Sequence, residues 1–368
     1  MNIGIDARPL SYNLTGIGYY LKNTLDALQS IDDVNNYYLV SNKIINYQLV
    51  NDKWQKIEGR FGYSSVSSPW MQFMAPRIAY KCKFDVFWGT RHHLPLFLPF
   101  QVKRLVTIHD LVHLKHPETM LKKNLILERI LMNRSLATAD AIISISHATA
   151  ADILKYYPDV SRENIYTVYP GVPKLKRKKA SCAIVEQLPH NYFLFVGTME
   201  PRKNLHNLLR AFERLNPENY DVHLVIAGGR GWKDKELKIF FDNYKFASRI
   251  VFTGYVPREI MISLYKKAAC LIFPSLYEGF GFPIIEAMSC GIPVITSDRS
   301  SMKEIASDAA LLVNPYDIAS IEGAMKLILT DKDLKKKLIE KAALRLKIFS
   351  WDRCARESMA IFDKVMKH

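Results

Sequence analysis

Cys270-Leu271-Ile272-Phe273-Pro274-Ser275-Leu276-Tyr277-Glu278-Gly279-Phe280-Gly281-Phe282-Pro283-Ile284-Ile285-Glu286 is the stretch from which the whole chain can be read. It opens as an apolar strand and passes through a Gly-rich turn. Pro283 suits a first helical turn, and Ile284, Ile285 and Met288 fall on one face of the helix that follows. Glu278 is therefore expected in the loop at the strand's carboxyl end, and Glu286 about one turn into the helix. Ligands of open α/β sheets bind at that edge. Gly279 and Gly281 let backbone come close to a ligand, and the N–H groups of a helix start favour phosphate. Two carboxylates eight positions apart around such a loop suit a molecule with hydroxyls at both ends and a diphosphate between, such as a nucleotide-sugar.

Outward from this stretch, strands and helices alternate in both directions, which implies α/β architecture with parallel sheets covered by helices. Strands are expected at 192–197, 222–227, 250–253, 294–296 and 310–313 around it. Further back they are expected at 3–6, 38–40, 86–88, 105–108, 141–145 and 165–168, with a helix over 18–27. Pro173 to Ser181 is charged and lacks apolar periodicity. The expected division is a first domain over 1–172, a linker over 173–190, a second domain over 191–350 and a final helix over 351–368.

A chain of 368 residues with 49% apolar content is long enough for two full cores. It contains no run of about 18 uncharged apolar residues, so no membrane span is expected. Asn2 to Asp6 reads as a strand rather than as part of a signal peptide. The five cysteines are scattered and form no C-x-x-C pair, which fits free thiols in a reducing, cytoplasmic setting. The net charge of +15 is uneven: residues 1–180 hold 24 Lys and Arg against 14 Asp and Glu. Such a basic half can attract anionic lipid or a phosphorylated acceptor, and it equally serves simple solubility. Nucleic acid is the poorest partner, since no binding motif accompanies the charge.

Several other groups could carry chemistry. Arg202 and Lys203 leave the strand over 192–197 and can neutralise a diphosphate, Arg as a fork and Lys as a point charge. Thr15-Gly16-Ile17-Gly18 follows the first strand but lacks the third glycine of a dinucleotide fingerprint. His109-Asp110 ends another strand, where an imidazole can bond sugar hydroxyls. His113 and His116 lie close by, yet the spacing matches no zinc pattern, and no metal is expected. Asp331-Lys332-Asp333 precedes a plain helical pattern, so Asp333 reads as an N-cap, and Ser301 to Glu304 reads as a capping box. Trp70 to Met74, followed by Arg77, Lys81 and Lys83, suits either a lipid headgroup layer or a core or acceptor-groove helix broken at Pro76. Arg91, His92 and His93 are acceptor-side candidates.

The run S-x-Y-E-G-F-G-x-P-x-x-E-A-M-x-x-G-x-P-V, spanning Ser275 to Val294 without a gap, resembles the donor-site signature of the retaining glycosyltransferases of family 4. These have the GT-B fold, two Rossmann-like parallel-sheet domains facing across a cleft. The resemblance implies that Arg202 and Lys203 hold the donor diphosphate, helped by Gly16 and by the backbone near Gly281 and Phe282. It also implies that Glu286 binds the ribose, and that Glu278 and His109 hold the sugar as catalytic residues. Many relatives have an Arg where this chain has Thr198. The final helix is implied to return to the first domain. Asn2 to Leu10, Thr15 to Gly18 and Glu200 to Asn204 most resemble the bacterial mannosyltransferase subgroup. That subgroup implies a GDP-mannose donor, no metal cofactor, a lipid-linked or surface-polysaccharide acceptor and contact with the anionic inner face of the cytoplasmic membrane. The alternatives are a UDP-hexose donor or a non-catalytic nucleotide-sugar-binding subunit.

Overall fold

Buried runs such as Ile3-Gly4-Ile5 and Leu271-Ile272-Phe273 cannot alternate polar with apolar, because both faces of their sheets are covered by helices. In a computed structural model, which describes residues 1–59, 67–172, 183–229, 241 and 243–367, the chain forms two compact units. One comprises Met1–Gly171 with Phe349–His368, the other Val172–Ile348. Residues 173–182, most of the expected linker, lie outside the described residues.

The first unit runs through β1 (Asn2–Asp6), α1 (Gly16–Ile31), β2 (Asn36–Ser41), β3 (Trp54–Glu58), α2 (Ser67–Lys81), β4 (Val86–Gly89) and β5 (Lys103–Ile108). It continues through α3 (Lys122–Thr138), β6 (Ala141–Ser144), α4 (His147–Tyr156) and β7 (Ile165–Thr167). Its strands form one parallel sheet in the order β3-β2-β1-β4-β5-β6-β7. The edge strand β3 is absent from the sequence reading, because only Trp54 of Trp54-Gln55-Lys56-Ile57-Glu58 is fully buried. α2 continues through Pro76 rather than breaking there, and Trp70 and Met71 are buried in the core. The outward part of that segment is Phe73, stacked on Phe97 with ring centroids 6.0 Å apart.

The second unit runs through β8 (Tyr192–Val196), α5 (Leu205–Leu215), β9 (His223–Ala227), β10 (Ile250–Gly254), α6 (Arg258–Lys267) and β11 (Cys270–Phe273). Then come α7 (Phe282–Ser289), β12 (Val294–Ser297), α8 (Ser300–Ala306), β13 (Leu311–Val313), α9 (Ile318–Thr330) and α10 (Lys332–Arg345). Its parallel sheet has the order β10-β9-β8-β11-β12-β13. Two local readings are corrected. Asp331, not Asp333, caps α10 by accepting from the Leu334 N–H. Ser301 caps nothing: it lies inside α8, whose N-cap position is Arg299.

α11 (Trp351–Lys367) belongs to the first unit and packs along α1. Trp351 meets the Tyr20 ring at 6.1 Å and Phe362 meets Trp88 at 5.6 Å between centroids. At Gly171 an added Cβ would stand 2.3 Å from the Trp351 backbone nitrogen, so only glycine lets the segment after β7 approach α11 this closely. Among the described residues no helix is long and apolar enough to cross a membrane.

Candidate active site

In a doubly wound sheet the strand order reverses at one point, and the loops after the two strands flanking it diverge to leave a crevice. In the second unit those strands are β8 and β11. Arg202 and Lys203 follow β8 and Glu278 follows β11, so the topology places together residues that lie 75 positions apart. Lys203 Nζ is 2.6 Å from Glu278 Oε1, and Arg202 Nη1 is 2.7 Å from Glu278 Oε2. The Arg202 guanidinium also reaches Glu200 Oε1 at 2.6 Å and donates to the Tyr277 carbonyl at 2.8 Å. Lys203 Nζ stands over the Phe273 ring at 4.9 Å. Burial alone would push the Glu278 carboxyl up, but the two adjacent cations hold it at about 2. Glu278 is a fixed anion.

The loop that carries it is anchored from the end of β12 and the start of α8. Ser300 Oγ donates to the Glu278 carbonyl at 2.7 Å, and Ser301 Oγ to the Glu278 and Phe280 carbonyls at 2.9 and 3.0 Å. Ser297 Oγ donates to the Ser275 carbonyl at 2.6 Å. The sequence assigned Ser301 a local capping role, whereas its hydroxyl is used across the sheet edge. Gly281 enters α7 with φ of 101°, a left-handed conformation that suits glycine, and an added Cβ would sit 3.0 Å from Ile284 Cδ1. Phe282 then opens α7, and the N–H groups of a helix start favour an anion.

Glu286 lies one turn further along α7. Tyr265 donates to its Oε2 at 2.8 Å and Arg258 Nη2 lies 3.1 Å from Oε1. Burial, and then the Glu286 charge, raise the Tyr265 hydroxyl well above its ordinary value, so it stays a donor. Tyr265 and Arg258, which fix the carboxylate, escaped the sequence reading because a buried tyrosine on an amphipathic helix carries no motif.

In the first unit the order reverses between β1 and β4. Gly16 heads α1 in the loop region after β1, and a side chain there would meet open space. His109 follows β5, and Tyr20 of α1 packs edge-on against it at 5.0 Å. The His109 Nε2–H donates to the Thr90 carbonyl at 2.8 Å, which leaves the lone pair on Nδ1. Burial, and then the neighbouring His92, lower His109 to about 3. It is a neutral imidazole at any physiological pH.

His92 and His93, in the turn after β4, share the Glu128 carboxylate of α3 at 2.8 and 3.2 Å. The His92 ring lies 5.5 Å from that of His109. Burial disfavours charge on His92, but Glu128 outweighs it and the net shift is upward; at His93 burial prevails. Glu128 is itself held well below the usual carboxylate range by the two imidazoles, against its burial. No spacing in the sequence could have linked Glu128 to His92, 36 positions away, or to its neighbour His93. Among the described residues no group of three His, Cys, Asp or Glu is arranged to hold a metal ion.

Residues 177–345 match the family described as glycosyl transferases group 1, and residues 54–174 match Glycosyltransferase Family 4. The chain carries both of these glycosyltransferase domains. O-antigen chain mannosyltransferase B of Escherichia coli is 29% identical to this glycosyltransferase over 376 residues, 98% of each chain. O-antigen chain mannosyltransferase RfbU of Salmonella typhimurium is 28% identical over 333 residues, 85% of this chain and 87% of the relative. Among solved structures, sucrose-phosphate synthase from Thermosynechococcus elongatus superposes with a TM-score of 0.77. That superposition covers 100% of this chain and 99% of the other at 19% identity, a likeness in the GT-B fold. The group 1 match contains Arg202, Lys203, Glu278 and Glu286 of the glycosyltransferase, and the family 4 match contains His92, His109 and Glu128.

Proposed function

We propose that the glycosyltransferase moves mannose from GDP-mannose to a saccharide hydroxyl of a lipid-linked or surface-polysaccharide acceptor, with retention at the anomeric carbon. The observation that carries the transfer chemistry is the pair of cations, Arg202 and Lys203, on the Glu278 carboxylate at the β8–β11 switch point. The choice of mannose rests on the names of the two relatives that match most of this chain.

As the donor bond breaks, charge grows on the leaving diphosphate, and preorganised cations and N–H groups stabilise it without reorganising. Arg202, Lys203 and the backbone at Gly281 and Phe282 supply them. Two side-chain cations at the diphosphate do the work of a divalent ion, so transfer proceeds without metal. Glu286 accepts from the ribose hydroxyls. Glu278, ion-paired on both oxygens, is a poor nucleophile. It orients the sugar and compensates the cationic anomeric centre, while the acceptor attacks on the face the diphosphate leaves and gives its proton to the leaving oxygen. Neutral His109, its Nε2–H held by Thr90, offers Nδ1 as an acceptor to a sugar hydroxyl.

Calorimetric titration in EDTA with GDP, UDP and ADP tests the donor site. Tight GDP binding that weakens in Lys203→Ala is the expected result. A UDP preference replaces the donor, and no nucleotide binding overturns the reading. Proton NMR of the product then gives the anomeric outcome, and inversion would remove the same-face mechanism.

A further inference from the structure

Glu278 holds the two cations that receive the donor diphosphate in the proposed transfer, Lys203 on Oε1 at 2.6 Å and Arg202 on Oε2 at 2.7 Å. A diphosphate and this carboxylate are therefore rivals for the same partners. Their surroundings decide which group can yield. The Lys203 stem lies along Gly197, where an added Cβ would meet its Cε at 3.4 Å, and its ammonium stands over the Phe273 ring. Arg202 is kept by Glu200 at 2.6 Å and by the Tyr277 carbonyl, and its own carbonyl accepts from the Leu276 N–H at 2.8 Å. The Glu278 backbone is tied down by Ser300 and Ser301. What remains to move is the Glu278 side chain.

That move has a condition. The Glu278, Lys203 and Arg202 side chains are only 11, 12 and 13% exposed, and a carboxylate at that depth that loses its partners is strongly disfavoured. A hexose brings hydroxyl donors that can take the carboxylate oxygens. A bare nucleoside diphosphate brings none of them, and its terminal phosphate adds a further negative charge. We infer that Glu278 selects nucleotide-sugar over bare nucleoside diphosphate. It yields Arg202 and Lys203 to a diphosphate only when sugar hydroxyls replace them on its own oxygens. Once the sugar has left it reclaims both cations and drives the product nucleotide out. The inference rests on the donor site proposed above.

Calorimetric titration of the full chain with inorganic pyrophosphate, GDP and GDP-mannose, native against Glu278→Gln, tests it. Removing the rival charge is expected to tighten pyrophosphate and GDP about tenfold and to leave GDP-mannose no tighter. The preference for the sugar-bearing ligand then falls by about the same factor. Lys203→Ala added to Glu278→Gln is expected to abolish the gain, which ties it to this site. Thermal melting reports that the variant is folded, and Glu278→Ala serves in its place if it is not. Equal or weaker binding of pyrophosphate and GDP by the folded variant overturns the inference, as does GDP-mannose tightening in step with GDP. Pyrophosphate carries no base, so an error in the donor's base leaves that arm intact. If native and variant chains alike bind none of the three, the donor site itself falls and the inference with it.

Discussion

Each unit holds a carboxylate between two nitrogen bases, and the two arrangements differ in one respect that governs their behaviour. Glu278 is flanked by Arg202 and Lys203, Glu128 by His92 and His93. In the second unit the bases are strong and the carboxyl is held at about 2, so Arg202 and Glu278 keep their charges across the physiological range. In the first unit the bases are imidazoles, one shifted up and one down, beside a third, His109, that burial keeps neutral. The first arrangement suits fixed stabilisation of an arriving diphosphate. The second is a titratable cluster, so proton concentration acts on one unit and largely spares the other.

The largest expected effect breaks the fixed-charge site. Arg202→Ala should lower kcat/KM by roughly 10²–10³-fold, since a preorganised donor is lost from the leaving group and Glu278 loses a partner. Steady-state kinetics at saturating acceptor measure it, and a change under tenfold would place the diphosphate elsewhere.

Acidification probes the other unit. A His whose folded value is depressed binds fewer protons than in the unfolded chain, so stability falls as pH drops below the unfolded value of 6.5. The fall continues until the folded values are reached, about 3 for His109 and about 4 for His113. At pH 5 each should cost about 2 kcal/mol, partly offset by His92, whose upward shift gives stability below 6.5 that is lost on going up through its folded value. Hydrogen exchange at pH 7 and 5, corrected for intrinsic rates, should therefore loosen residues 1–171 more than 183–348. Equal loosening would erase the contrast.

Glu128→Gln sharpens it further. The cost should be about 1–3 kcal/mol and should shrink from pH 6 to pH 8, as His92 loses its charge and the ion pair with it. Glu278→Gln should cost the same at both pH values for its Arg202 partner. Urea unfolding at the two pH values compares them. Smallest is Tyr265→Phe, which removes one hydrogen bond to Glu286 and should raise the donor KM about 3–10-fold with little change in kcat. A loss in kcat instead would make Glu286 part of the chemical step.

The strands of both sheets, except β3, and the loop positions of Glu278, Arg202 and Lys203 were legible because buried parallel strands are unbroken apolar runs whose ends are punctuated by Gly and Pro. That Lys203 and Glu278 touch was not, since only the strand order puts β8 beside β11. Glu128 was invisible for a related reason: α3 is apolar on both sides, so periodicity gives no inward face to assign it to. Ser301 shows the opposite failure, in which a local capping signature is overridden by tertiary hydrogen bonds. Trp70 suited either an interfacial or a core position by sequence, and it is core. Composition alone does not say which side of a helix is wet.

The return of α11 to α1 has a consequence for synthesis. The second unit is one unbroken segment, Val172–Ile348, whereas the first needs residues from 349 onward. On the ribosome, domains ordinarily complete in the order of their residues. Here the order is inverted: the unit that begins the chain must wait, with Tyr20, Trp88 and Gly171 uncovered, until Trp351 and Phe362 have emerged, and by then the inserted unit can already have folded.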